Sequence, residues 1–154
     1  MSSEHIIRFM SDGHRLAGTL HLPDQRHPPV IIGCHGLLAD RRSPKQVALA
    51  KALNRIGLAY FRFDHRGCGD SQGDIEAAGL LAARRRDLDH AIGAMQSHAD
   101  TGPVAGLFGS SFGGTVAMTT GIENPVPAII TYASPVHSGT IDTNAMRNLA
   151  DRDT

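Results

Sequence analysis

The sequence predicts an α/β protein: a largely parallel sheet with helices on both faces, preceded by an antiparallel hairpin. Three observations predict it. Short, almost continuously apolar runs recur at 30–34, 58–63, 104–108 and 127–133; they are too short for helices and too uniformly apolar for strands exposed on one face. Segments with helical spacing separate them, and a strand–helix–strand alternation closes into parallel pairs through right-handed crossovers. Glycine-rich turns follow two of the runs, at 67–73 and 109–114, at the carboxyl ends where such sheets form ligand sites.

Taken in order, residues 5–9 form a first strand, Ser11-Asp12-Gly13 a turn, and Leu16, Leu20 and Leu22 alternate along a second strand. A polar, proline-punctuated loop covers 23–29 before the buried strand Val30-Ile31-Ile32-Gly33-Cys34. The next helix has Ser43 as N-cap, Pro44 at its first position and Gln46 closing a capping box. Val47, Leu49, Ala50, Leu53 and Ile56 make its apolar face, and Gly57 ends it. The strand at 58–63 feeds a loop running from Asp64 to Gly73, and a long helix follows over about 76–97, with Leu81, Leu88, Ile92 and Met95 near helical spacing. A strand at 104–108, a tight turn at 109–113, a helix ending near Gly121 and a strand at 127–133 complete the alternation. The polar stretch 138–154 carries no assigned element. Without repeats or a linker, residues 1–154 read as one domain.

Composition narrows the function classes. A chain of 154 residues, 41% hydrophobic and 19% charged, is an ordinary globular sequence that can bury a core. Fifteen basic residues balance fifteen acidic ones, which argues against nucleic-acid and anionic-membrane partners and fits a small, uncharged substrate. Two cysteines, Cys34 and Cys68, make no disulfide framework and lack metal-ligand spacing. No metal or organic cofactor is expected. The first residues lack a basic stretch followed by an apolar one, and no apolar run approaches the ~20 residues that span a bilayer; the expected location is the cytoplasm.

The chemistry centres on Gly109-Ser110-Ser111-Phe112-Gly113, a G-x-S-x-G pattern between a buried strand and a helix. A serine hydroxyl is presented for attack on a strained strand-to-helix turn, and bulky neighbours would block that backbone. The helix start also supplies amide donors where an oxyanion develops. Cys34-His35-Gly36-Leu37 ends the first buried strand, where a loop can offer another amide to the same oxyanion, with His35 supporting the loop.

These motifs, together with Phe63-Asp64-His65-Arg66-Gly67-Cys68-Gly69-Asp70-Ser71-Gln72-Gly73, resemble in order those of the α/β-hydrolase family. The branch most similar comprises bacterial carboxylesterases, including cinnamoyl and feruloyl esterases and serine aminopeptidase-like hydrolases. The resemblance implies a serine hydrolase acting on carboxylic esters. Ser111 would be its nucleophile, the amides of Leu37 and Phe112 its oxyanion hole, and His35, Gly36, Gly109, Gly113 and Asp64 structural support.

In that family an acid and a histidine follow the serine on later strands. This sequence stops soon after residue 133, so a sheet of about six strands is expected, with the acid- and histidine-bearing strands missing. His5, His14, His21 and His27 fall at the hairpin and its loop, and His90 and His98 at the wrong end of the sheet. His137, with Asp142 as orienting acid, is the substitute pair that position allows. The expected partners are a small-molecule ester and either a second copy or a complementing C-terminal segment. The competing expectation is a catalytically inert domain serving as a binding or assembly module, or as half of a split enzyme.

Overall fold

The computed structural model describes residues 2–76 and 78–135. Among the described residues six strands form one mixed sheet. The N-terminal hairpin pairs β1 (Ser3–Ser11) with β2 (His14–Leu22), Ser11 opposite His14. Asp12 and Gly13 both have positive φ, 47° and 79°, the backbone that a two-residue hairpin turn requires. β2 then joins β4 (Ala59–Phe63) antiparallel, and β4, β3 (Val30–Cys34), β5 (Val104–Ser110) and β6 (Ile129–Tyr132) run parallel. The spatial order is β1-β2-β4-β3-β5-β6. The expected α/β architecture with about six strands is the one observed.

Helices cover both faces. α1 (Pro44–Arg55) lays Ala50, Leu49 and Leu53 on Tyr60, Phe108 and Ile31. On the other face α2 (Leu80–Gln96) and α3 (Phe112–Glu123) bring Leu80, Leu88, Ala91, Ile92, Met95, Val116 and Ala117 against Ile32, Phe61, Phe63 and Leu107. Ile31 and Ile32 thus serve opposite cores, which is why the runs at β3 and β4 are apolar at successive positions. β2 is interior as well, so its run from Leu16 to Leu22 is buried and the alternation Leu16–Leu20–Leu22 marks only one of two covered faces.

Three local expectations are corrected. Ser43 makes no side-chain cap bond at the start of α1; Gln46 is instead buried and accepts the Tyr60 hydroxyl at 2.5 Å, so a tertiary bond displaces the capping box. Ile56 is not on the α1 core face but 72% exposed just past the helix end. In α2 the buried stripe runs through Leu80, Arg84, Asp87, Leu88, Ala91, Ile92 and Met95, with Leu81 at its margin. β6 forms one edge of the sheet among the described residues, its side chains exposed.

Candidate active site

β5 runs on through Ser110 and α3 begins at Phe112, so a single residue, Ser111, makes the whole turn. Its backbone angles are φ 53° and ψ −130°, a strained conformation for a residue with a side chain. The surroundings hold it there. The Ser111 amide donates to the Tyr132 carbonyl at 2.9 Å, and its own carbonyl accepts the Gly114 amide at 2.9 Å. A Cβ on Gly109 would lie 2.5 Å from the Gly114 Cα, and one on Gly113 would lie 2.5 Å from the His35 carbonyl oxygen. Both glycines are therefore needed for close approach, Gly109 to α3 and Gly113 to the end of β3. Ser111 itself is exposed, and Phe112, first in α3, carries an amide that the helix ladder leaves free.

The loop after β3 lies alongside. A Cβ built on Gly36 would sit 3.6 Å from the Ser111 Cβ, so positions 36 and 111 are van der Waals neighbours from separate strands. His35 is 1% exposed. Its Nδ1–H donates to the Gly36 carbonyl at 2.7 Å, and its Nε2 accepts the His65 amide at 3.1 Å. Both ring nitrogens are engaged, and burial, with His65 and Arg84 adding to it, holds the imidazole pKa well below the ordinary value. His35 is a neutral brace between two loops, not a base. Leu37 packs at the margin of the core, and its carbonyl accepts a bond from Arg84 Nη2 at 2.8 Å.

The loop at 64–73 is held by charged groups. Asp64 is fully buried; it accepts the Arg41 amide at 2.7 Å, the Asp70 amide at 2.9 Å and the Arg41 guanidinium. Ser71 Oγ donates to the Asp64 carbonyl at 2.6 Å and accepts the Ala17 amide. Arg66 reaches Asp87 on α2 at 2.7 Å and Asp12 in the hairpin turn at 2.9 Å. Burial by itself would raise the Asp87 carboxyl, but His65 and Arg66 outweigh it and keep the group below the usual carboxylate range. His65, fully buried with Nδ1 3.6 Å from Asp87, is pushed down to about 4 by burial. The cysteines are unsuited to nucleophilic work: burial pushes Cys34 up to about 12 and raises Cys68 as well.

Beside these loops a cleft of about 590 Å³ opens between Leu38, Ala39 and Pro44 on one side and Gly67, Cys68 and Ile75 on the other. No group of His, Cys, Asp and Glu among the described residues could hold a metal ion.

The structure thus brings Ser111, Phe112, Gly109 and Gly113 together with His35, Gly36 and Leu37, while Asp64 anchors the neighbouring loop. His137 and Asp142 lie outside the described residues. Among the described residues no histidine or carboxylate is bonded to the Ser111 hydroxyl. Sequence reasoning missed Arg84 and Asp87, because Arg84-Arg85-Arg86-Asp87 reads as a solvated helix face. The available signal was phase: positions 84 and 87 fall on the stripe through Leu80, Leu88, Ala91 and Met95.

Residues 25–150 match the serine aminopeptidase S33 family. An uncharacterised Mycobacterium tuberculosis protein is 35% identical over 135 residues, 86% of this chain and 46% of its own length. Human monoglyceride lipase is 30% identical over 121 residues, 79% of this chain and 38% of the lipase. Among solved structures, Est1E from Butyrivibrio proteoclasticus with bound ferulic acid superposes with a TM-score of 0.68 at 25% identity, covering 82% of this chain and 53% of Est1E. The chain spans about half the length of the curated relatives it matches, or less.

Proposed function

Because the chain belongs to the serine aminopeptidase S33 family of α/β serine hydrolases, we propose that it carries the nucleophile and oxyanion hole of an esterase acting by acyl transfer. The observation that carries this reading is Ser111: exposed, alone between β5 and α3, and held at positive φ by glycines that admit no side chain. In this reading Ser111 Oγ attacks the ester carbonyl, its proton passes to a base, and the alcohol leaves. Water then releases the acid from the acyl-enzyme. The amides of Leu37 and Phe112 take the oxyanion.

A carboxylic ester as substrate is favoured by the likeness to a monoglyceride lipase and to a ferulic-acid-binding protein. The domain is read as the nucleophile-bearing portion of a longer hydrolase domain. Base and acid come either from His137 and Asp142 or from strands outside this sequence, added in cis or by a complementing segment. The inert-module reading predicts an unreactive serine.

Both readings meet in one experiment. The chain and its Ser111→Ala variant are treated with a fluorophosphonate and with p-nitrophenyl acetate, and followed by intact mass and nitrophenolate release. Slow modification of the wild type, mapped to Ser111 and absent in the variant, is the expected result, since the chain alone is read as weakly active until an outside base and acid are supplied. Equal, background-level behaviour of both proteins would overturn it.

A further inference from the structure

We propose that Arg84 is a positioning residue of the acyl-transfer site: it clamps the Gly36 carbonyl so that the amide of the same peptide unit, that of Leu37, faces the oxyanion. The inference rests on the reading of Ser111 as nucleophile and adds a side chain to it. Arg84 lies on α2, with no exposed surface. Its Nη1–H donates to the Gly36 carbonyl at 3.3 Å and its Nη2–H to the Leu37 carbonyl at 2.8 Å. Its guanidinium carbon stands 5.5 Å from the centroid of the Phe112 ring. One side chain therefore touches both segments whose amides would hold the oxyanion, the loop after β3 and the first residue of α3.

Peptide planarity turns that contact into orientation. The Gly36 carbonyl and the Leu37 N–H belong to one rigid plane and point in opposite directions. Fixing the carbonyl fixes the amide. Two donors converge on that carbonyl, Arg84 Nη1 and His35 Nδ1 at 2.7 Å. A carbonyl polarised by a cation and an imidazole N–H makes the amide on the other end of its peptide a stronger donor. Arg84 thus acts through the Leu37 peptide, from behind the site, without touching substrate.

A packing role alone explains the residue poorly. Among the described residues no carboxylate lies within ion-pair distance of Arg84, and its Nε has no hydrogen-bond partner. The nearby Asp87 is already engaged by Arg66. Taking an unpaired guanidinium out of water is costly, and an apolar side chain of similar volume would fill the space without that cost. What an apolar replacement would not supply is positive charge on two loop carbonyls.

The test compares the chain with Arg84→Met, which keeps volume without charge, Arg84→Lys, which keeps charge without the fork, and Ser111→Ala. Fluorophosphonate labelling is measured against probe concentration, which separates the inactivation rate constant from probe affinity, and thermal unfolding is recorded alongside. For Arg84→Met the inactivation rate constant should fall at least about tenfold, short of the ~10²–10³ lost with a whole oxyanion donor, with affinity within about threefold of wild type. Arg84→Lys should recover part of the rate. Wild-type rate constants in both arginine variants would overturn the inference while leaving Ser111 as nucleophile. Should Arg84→Met not fold, Arg84→Lys alone decides: slower labelling supports the clamp, an unchanged rate refutes it. A wild type as unreactive as Ser111→Ala would remove the nucleophile and the clamp together.

Discussion

Adding one methyl group at Gly113 tests the geometry on which the site depends. A Cβ there would stand 2.5 Å from the His35 carbonyl oxygen and 2.8 Å from the Cys34 carbonyl carbon, with the Cys34 oxygen closer still, whereas ordinary contact begins at 3.4 Å. None of these atoms is the end of a flexible side chain. They are backbone at the end of β3, which is paired to β4 on one side and β5 on the other. The start of α3 must therefore retreat, by about 1 Å, and Ser111 and Phe112 move with it relative to the Gly36–Leu37 loop. A misplacement of ~1 Å costs on the order of 10²-fold in rate when reacting groups must align. Overpacking a buried contact adds about 1–3 kcal/mol of destabilisation, which for a chain of this size lowers Tm by several degrees. The assay is the rate of Ser111 acylation by p-nitrophenyl acetate, read beside thermal unfolding. Gly93→Ala is the control, since a Cβ at that position on α2 meets nothing within 4 Å; helix propensity predicts unchanged acylation and a gain of about 0.5–1 kcal/mol. Acylation of Gly113→Ala at the wild-type rate would show that the approach of α3 to β3 does not set the position of Ser111.

Stability should fall as pH drops from about 6.5 to about 4. Burial lowers His65 from 6.5 to about 4, so the unfolded chain takes up the proton first, and the difference amounts to about 3 kcal/mol. His35 is shifted the same way; urea titrations giving equal stability at pH 7 and pH 5 would contradict the neutral, buried state of both rings. Asp64→Ala strips two backbone amides of their acceptor and leaves the buried Arg41 guanidinium with Asp70 as its carboxylate partner; it should cost about 2–4 kcal/mol, seen as a fall in Tm of several degrees. On β6, Ile130 and Tyr132 are 62% and 59% exposed. If that edge drives self-association, Ile130→Lys should shift sedimentation-velocity profiles toward the monomer, and unchanged profiles would place any association elsewhere.

What was legible in the sequence, and what was not, divides by the range of the interactions involved. β3 matches its expected bounds because a strand covered on both faces writes its burial into every consecutive residue, and the G-x-S-x-G turn is legible because each glycine answers a contact within a few residues or with the adjacent strand. Gln46 was misread because a local rule, the capping box, lost to a bond from Tyr60, which sits on a different element. Arg84 and Asp87 were missed because arginine and aspartate in a helix are normally solvated, and only their phase on the buried stripe of α2 says otherwise. Their partners are the carbonyls at Gly36 and Leu37 and the guanidinium of Arg66, all brought to α2 only once the sheet has formed. The oxyanion-hole assignment stands between these cases. Position 37 can be named from a motif, but its donor is a backbone amide, and the direction of an amide is set by whatever holds the carbonyl of its own peptide. At Gly36 those groups are His35, next door in sequence, and Arg84, far along the chain and buried with no counter-ion among the described residues. A sequence argument finds the first and overlooks the second.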